Sequence, residues 1–342
     1  MNLPPRRAGG VTLPVVLVTL AFIGLGFFAT GFLAGYEPFL VLGMMLLLGL
    51  PHGATDHGLF LALRQGGQGE GKGRFYLAYL GIIAAYGLVW YLLPLVAFGI
   101  FILLSVYHFG QSNWVDTEQR PTFTARAHYL LWGMGVLLTP ILLHAEEAAA
   151  IVATMTDTVI ATPALDSVYW IIAVLGLANV VTITTLKMRG VLDTRRTVLE
   201  LLAYALLTLL FFTNSLLLGF TIYFVFWHSL SSIQDQMQFF ERRMSRDLRQ
   251  KLSVGIGTTV VGALAFCLIV WFGPGPEAAL RPAIIGGVFV FISLLTMPHM
   301  LLVEQLYTSW SPNDNPPDLP RKEDGAERIS FTQSPSATPT YV

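Results

Sequence analysis

The chain has little charge. Only 12% of its 342 residues are Asp, Glu, Lys or Arg, whereas 54% are hydrophobic; a water-soluble domain carries about twice that charged fraction. The formal net charge of -1 offers no basic surface to a nucleic acid, and we find no nucleic-acid motif. The single cysteine, Cys267, excludes an internal disulfide and a thiolate metal cluster. From this low charge and high hydrophobic content, we expect a membrane protein.

The apolar residues come in runs of about 20, the length that crosses a bilayer as a helix. We predict an all-α, polytopic transmembrane helix bundle of about ten spans, with a range of eight to ten. The predicted spans are 12–34, 38–63, 75–94, 95–114, 126–144, 165–187, 197–213, 215–240, 253–273 and 282–308. Residues 1–310 are expected to form the bundle, and residues 311–342, rich in Pro, Ser, Thr and charge, a disordered cytoplasmic tail.

The positions of Lys and Arg support this layout. If the N-terminus is cytoplasmic, 19 of the 20 basic residues fall in inside loops or tails, and only Arg281 falls outside. Cytoplasmic loops carry an excess of Lys and Arg, and a wrong number of spans would scramble the pattern. We therefore expect a multi-pass protein of the inner or plasma membrane with both termini in the cytoplasm.

Four of the seven histidines fall deep inside predicted spans. They are His52, His108, His228 and His299, in the second, fourth, eighth and tenth spans, all of which run from outside to inside in this layout. Each lies roughly 20–25 Å from the outer end at 1.5 Å per residue. Ionisable groups at that depth are costly, and neutral imidazole binds Fe, Cu or Zn. We therefore expect the four rings to meet and to hold a metal ion.

Several polar residues are candidates to orient these ligands. A ligating histidine usually donates its other ring N–H to a carboxylate or a carbonyl group. Asp56 follows His52 by four residues, Asp235 follows His228 by seven, and Gln111 follows His108 by three, so each shares a helix face with its histidine.

The strings around these histidines resemble a known family. "PHGATDH", "YHFGQSN", "WHS" and "PHM" occur here in the order of the Brp/Blh family of membrane β-carotene dioxygenases, and the resemblance covers residues 12 to 308. It implies non-haem Fe(II), with O2 as co-substrate, and cleavage of β-carotene at its central 15,15′ double bond to two all-trans-retinal molecules. It further implies a carotenoid taken from the bilayer and a product passed to a microbial rhodopsin.

Carried over residue by residue, the resemblance makes His52, His108 and His228 the catalytic iron ligands. The family pattern has a further histidine four residues after the one that matches His228, and here that position is Ser232. Three histidines then suffice, or His299 completes the metal set, or the activity has changed.

Other interpretations stay open from the sequence. Two histidine pairs could ligate a haem, which would give a Soret absorption band. A diiron desaturase or hydroxylase needs HxxxH and HxxHH clusters, and none occurs. Because Ser232 replaces a histidine of the family pattern, two further alternatives stay open. The protein is then a carotenoid-binding or altered-substrate relative with impaired cleavage, or a transporter.

Overall fold

The computed structural model describes residues 12–45, 53–63, 72–114, 123–244, 246–272 and 282–309, and these residues form helices and no strand. The helices are α1 (Leu13–Phe28), α2 (Thr30–Met44), α3 (Asp56–Leu63), α4 (Lys72–Leu92), α5 (Pro94–Trp114), α6 (Phe123–Leu143), α7 (Ala145–Thr156), α8 (Leu165–Met188), α9 (Thr194–Thr213), α10 (Leu216–Ile222), a π-helical segment (Tyr223–Ser229), α11 (Leu230–Arg243), α12 (Arg246–Phe272) and α13 (Pro282–Ser309). The predicted all-α bundle is confirmed.

Seven helices in the described part of the chain are long and apolar enough to cross a membrane. They are Gly73–Leu92, Pro94–Trp114, Phe123–Leu143, Leu165–Met188, Thr194–Thr213, Leu216–Glu241 and Ile285–Thr308. The remaining three of the ten predicted spans have other outcomes. The first breaks at Ala29 between α1 and α2. The second includes residues 46–52, outside the described residues, and α12 covers the ninth.

The two least obvious divisions between spans are confirmed. Pro94 begins α5, where its missing N–H would have no helical partner in any case. Helix α9 ends at Thr213, and Ser215 caps α10 by accepting a hydrogen bond from the Leu218 N–H at 3.2 Å. Each break reorients the chain without a long loop.

Helix α7 is a finding that the sequence layout missed. The predicted spans place residues 145–164 in an outer loop, whereas Ala145–Thr156 is helical. Twelve residues are too few to cross a bilayer, so a search for long apolar runs passes over them. Helix α7 packs against α13, α6 and α5 and contributes to the wall of the central cavity.

Helices α5 and α6 make the closest backbone contact in the bundle. A Cβ added at Gly133 would lie 1.7 Å from the Val106 carbonyl oxygen, and one at Gly110 would lie 1.7 Å from the Tyr129 carbonyl oxygen. Only glycine permits this approach. Because Val106 and Gly110 flank His108 on α5, the crossing sets the position of that histidine in the bundle.

The eighth predicted span is a continuous helix with a π-helical turn in its middle. Tyr223–Ser229 has the wider π winding, with α10 before it and α11 after it. Such turns are rare and occur frequently at functional sites. His228 lies in this turn.

Candidate metal centre

Three of the four predicted histidines meet in the core. The ring centroids of His108 and His228 are 4.8 Å apart, and those of His108 and His299 are 5.5 Å apart, in both cases nearly perpendicular. Their exposed fractions are 4%, 3% and 5%. The prediction that these imidazoles come together from separate helices is confirmed for these three. His52 lies outside the described residues.

The Nδ1 atom of His228 is held by an oxygen. It lies 3.1 Å from the Ser112 hydroxyl, and that hydroxyl donates its own hydrogen to the Phe109 carbonyl at 3.0 Å. Ser112 therefore accepts from His228 Nδ1–H, and Nε2 of His228 carries the lone pair. This is the tautomer that a metal ligand through Nε2 requires.

The Nδ1 atom of His299 is held by a carboxylate. It lies 2.6 Å from Oδ1 of Asp56, and the Tyr79 hydroxyl donates to Oδ2 of Asp56 at 2.8 Å. With the carboxylate as acceptor, Nδ1–H of His299 is the donor in this contact, which leaves Nε2 as the nitrogen that could face a metal ion. The sequence placed Asp56 beside His52; the structure shows its carboxylate between α4 and α13.

The other predicted orienting residues are buried. The buried Gln111 amide donates to Glu304, one turn below the histidines on α13. Asp235 is buried on α11, with 5% of its surface exposed.

Ser232 belongs to a hydrogen-bonded tie between two helices. Its hydroxyl accepts from the Gln236 amide nitrogen at 3.1 Å, and the Gln236 amide oxygen accepts from the hydroxyl of Thr55. The exposed fractions of the three residues are 2%, 1% and 0%. At the position where the family pattern has a histidine, this chain thus has a polar contact that joins α11 to the residue before Asp56.

The remaining histidines lie in other surroundings. His57 stacks on Phe75 with ring centroids 5.7 Å apart, and Nε2 of His144 contacts the Phe211 carbonyl at 3.2 Å. His128 is 8% exposed on α6.

A cavity of about 640 Å³ leads to the three histidines. Its size lies in the usual range for small-molecule sites. Three helices each contribute an apolar stripe that ends at a histidine: Phe98, Phe101 and Ile102 before His108; Phe220 and Phe224 before His228; Ile292 and Leu295 before His299. The imidazoles and Asp56 therefore lie where these apolar stripes end.

Aromatic rings surround the polar end. Phe109 meets the His228 ring edge to face at 4.8 Å, and Phe224 stacks on it at 5.7 Å. Both phenylalanines also line the cavity. The surroundings of the histidines are thus mostly apolar.

The donor set suits a metal ion, although the described part alone does not complete one. Two imidazoles bound to one ion at about 2.1 Å, at right-angled to tetrahedral geometry, have ring centroids roughly 4.5–5.2 Å apart. The observed 4.8 and 5.5 Å are close to this range. Among the described residues no group of three or more His, Cys, Asp or Glu side chains is arranged to hold a metal. The fit therefore rests on the converging imidazoles, the Nδ1 partners of His228 and His299, and the mostly apolar surroundings.

Two orienting residues were absent from the sequence prediction. Ser112 follows His108 by four residues, and this spacing places it on the same helix face, so it could have been predicted as an orienting residue. It contacts His228, however, which lies on another helix. Tyr79 had no signal, because it is 23 residues from Asp56 and on a different helix. The fold alone brings that pair together.

Comparisons with known proteins identify the family of this chain. The sequence profile described as β-carotene 15,15′-dioxygenase matches residues 43–307. A protein of an uncultured marine bacterium, 66A03, named β-carotene 15,15′-dioxygenase, is 25% identical over 272 residues, covering 78% of this chain and 92% of that protein. No solved structure matches the chain.

A membrane helix bundle whose apolar chamber ends at buried histidines, with this match over most of its length, is a carotenoid-cleaving dioxygenase. The chain belongs to the β-carotene 15,15′-dioxygenase family.

Proposed function

We propose that the protein cleaves β-carotene at its central 15,15′ double bond and forms two all-trans-retinal molecules. The C15=C15′ bond breaks, and each of its carbons receives one atom of O2, so that one carotene and one O2 account for both aldehydes. The carotene is oxidised by four electrons and O2 is reduced by four, so no further reductant is needed. The observation that carries this proposal is the apolar cavity that ends at three converging histidines.

The cavity walls are suited to hold one half of the substrate. From Phe98 to His108 the α5 stripe spans about 15 Å at 1.5 Å per residue, roughly half the extended length of a C40 carotenoid. A polyene lying along this stripe with its ring at the outer end would place its central bond near the imidazoles. The walls supply hydrophobic contact with few hydrogen bonds, as an unsubstituted hydrocarbon requires.

We propose His52, His108, His228 and His299 as the residues that would hold a non-haem Fe(II). Such an ion supplies a coordination site for O2 next to the alkene. The chain's own contribution is to bring the imidazoles together, to orient His228 through Ser112, and to exclude water with Phe109 and Phe224.

The substrate is proposed to come from the bilayer. Phe291 and Val288 line the cavity and are also 56% and 47% exposed on the surface that faces lipid. A carotenoid dissolved in the membrane would therefore meet the chamber beside α13 without passing through water. The inner or plasma membrane, cytoplasmic termini and transfer of retinal to a microbial rhodopsin are parts of the same proposal.

The test is expression of the chain in bacteria that accumulate β-carotene, with carotene and retinal measured by chromatography. We expect loss of carotene with about two retinals formed per carotene consumed, and loss of this activity in His108→Ala. The matched control is His144→Gln, a histidine outside the cluster whose replacement can still donate to the Phe211 carbonyl.

Unchanged carotene beside an active control enzyme, at equal protein level, would refute cleavage. Aldehydes of unequal length would refute the central position. A Soret band in the purified protein would refute non-haem iron in favour of haem.

A further inference from the structure

A buried carboxylate connects the proposed metal centre to the helices that surround it. Asp56 begins α3 and is 5% exposed, with one oxygen on His299 and the other on Tyr79. A buried carboxyl group requires hydrogen-bond partners, and Asp56 has a partner on each oxygen.

The residue before Asp56 is fixed from the opposite side. Thr55 donates to Gln236 on α11, and Gln236 donates to Ser232 on the next turn. The start of α3 is therefore tied both to α4, through Tyr79, and to α11. These contacts leave Asp56 little freedom to move away from His299.

A carboxylate bonded to an imidazole changes how that imidazole binds a metal ion. A carboxylate that accepts from Nδ1–H sets the tautomer, raises the basicity of Nε2 and fixes the plane of the ring. It also offsets part of the positive charge of a divalent ion bound by neutral ligands. Asp56 therefore has the features of a residue that prepares His299 to bind metal.

We propose that Asp56 is a positioning residue, which acts through His299 and is held in place by Tyr79 and by the tie of Thr55, Gln236 and Ser232. His299 then supplies the imidazole that position 232 lacks, and Ser232 supports the carboxylate that orients it. This inference rests on the proposed function, because it requires that the histidines hold Fe(II).

The experiment measures Fe(II) affinity of the full-length protein in detergent, by competition with a chelator, and not only turnover. Removing such a partner of a metal-ligating histidine typically weakens metal binding about 10- to 100-fold. We expect that loss for Asp56→Ala, a smaller one for the isosteric Asp56→Asn, and a loss under tenfold for Tyr79→Phe. The electron paramagnetic resonance spectrum of the Fe(II)–nitric oxide complex should change in the same order.

Two controls match these changes. Glu304→Gln removes a carboxylate one turn below His299 that bonds Gln111. Tyr86→Phe removes a hydroxyl from the same helix as Tyr79, where it donates to the Ala97 carbonyl at 2.8 Å. Both should keep Fe(II) affinity within about twofold, whereas a general loss of bundle stability would lower all the variants together.

Failure of this inference and failure of the proposed function give different results. If His108→Ala abolishes iron binding but folded Asp56→Asn, Asp56→Ala and Tyr79→Phe keep wild-type affinity, Asp56 has no positioning role. If the wild-type protein binds no Fe(II) and cleaves no carotene, the proposed metal centre itself is wrong.

Discussion

The α5–α6 contact gives the sharpest test of how the bundle positions the site. Gly133→Ala adds a Cβ 1.7 Å from the Val106 carbonyl oxygen, and real Cβ atoms stay at least 3.0 Å from such an atom. The two backbones must therefore separate by the difference, about 1.3 Å, because a carbonyl of a helix cannot rotate away.

The expected magnitude follows from this displacement. Overpacking costs about 1–3 kcal/mol, and a backbone obstacle places Gly133→Ala at the upper end, near 3 kcal/mol. For a chain of this size that lowers the Tm by about 4 °C. A shift of about 1 Å at a reacting centre can cost about 100-fold in rate, and His108 is two residues from Val106, so retinal formation should fall by about that factor.

The assay is thermal unfolding of the purified protein in detergent, together with retinal formation per folded molecule. Gly99→Ala is the control, since it is on the same α5 helix and its added Cβ would meet nothing within 4 Å. If Gly133→Ala has the Tm and turnover of Gly99→Ala, the close approach of the two helices does not position His108.

Three further changes test other parts of the structure. Ser232→His should lower the Tm and give no gain in Fe(II) affinity. An imidazole is too large for the site of a serine that is 2% exposed, and it breaks the contact with Gln236. Tighter iron binding would show that position 232 can provide a metal ligand. Ala148→Phe, at the far wall of the cavity, should raise KM for β-carotene more than it lowers kcat and should leave Fe(II) affinity unchanged; an unaltered KM would show that the substrate does not reach α7. Removing the metal with a chelator should lower the free energy of unfolding by the amount that a saturating ligand contributes, about 2.7 kcal/mol at 100 times Kd, and should therefore lower the Tm. Added Fe(II) but not Zn(II) should restore activity. Activity that survives removal of the metal would refute a metal enzyme.

The sequence predicts the broad architecture because its signals are local. A run of apolar residues fixes a span wherever it occurs, and Pro94 and Asn214 mark breaks through their own backbone chemistry. The sequence also allowed the prediction that His108, His228 and His299 meet, because the depth of a residue in a membrane helix follows from its position along that helix.

The partners within the site were not accessible in the same way. Spacing along one helix suggested His52, which lies outside the described residues, as a partner of Asp56, and it gave no sign of the contact with His299, 243 residues further along the chain. Only packing of α3 against α13 and α11 creates that contact. Iron, the ligand set and the cytoplasmic termini stay predictions, as does the tail at 311–342, which lies outside the described residues.

The π-helical turn at Tyr223–Ser229 accommodates one extra residue in the helix that carries His228. A chain lacking one residue there could wind as an uninterrupted α-helix with better hydrogen-bond geometry, because seven π-helical residues turn through roughly the same angle as six α-helical ones. Phe220 before the turn and Ser232 and Gln236 after it would then keep their faces, and the change would fall on the turn itself, where His228 lies. A single-residue deletion in this segment would therefore move the His228 ring while it leaves the tie to Thr55 in place.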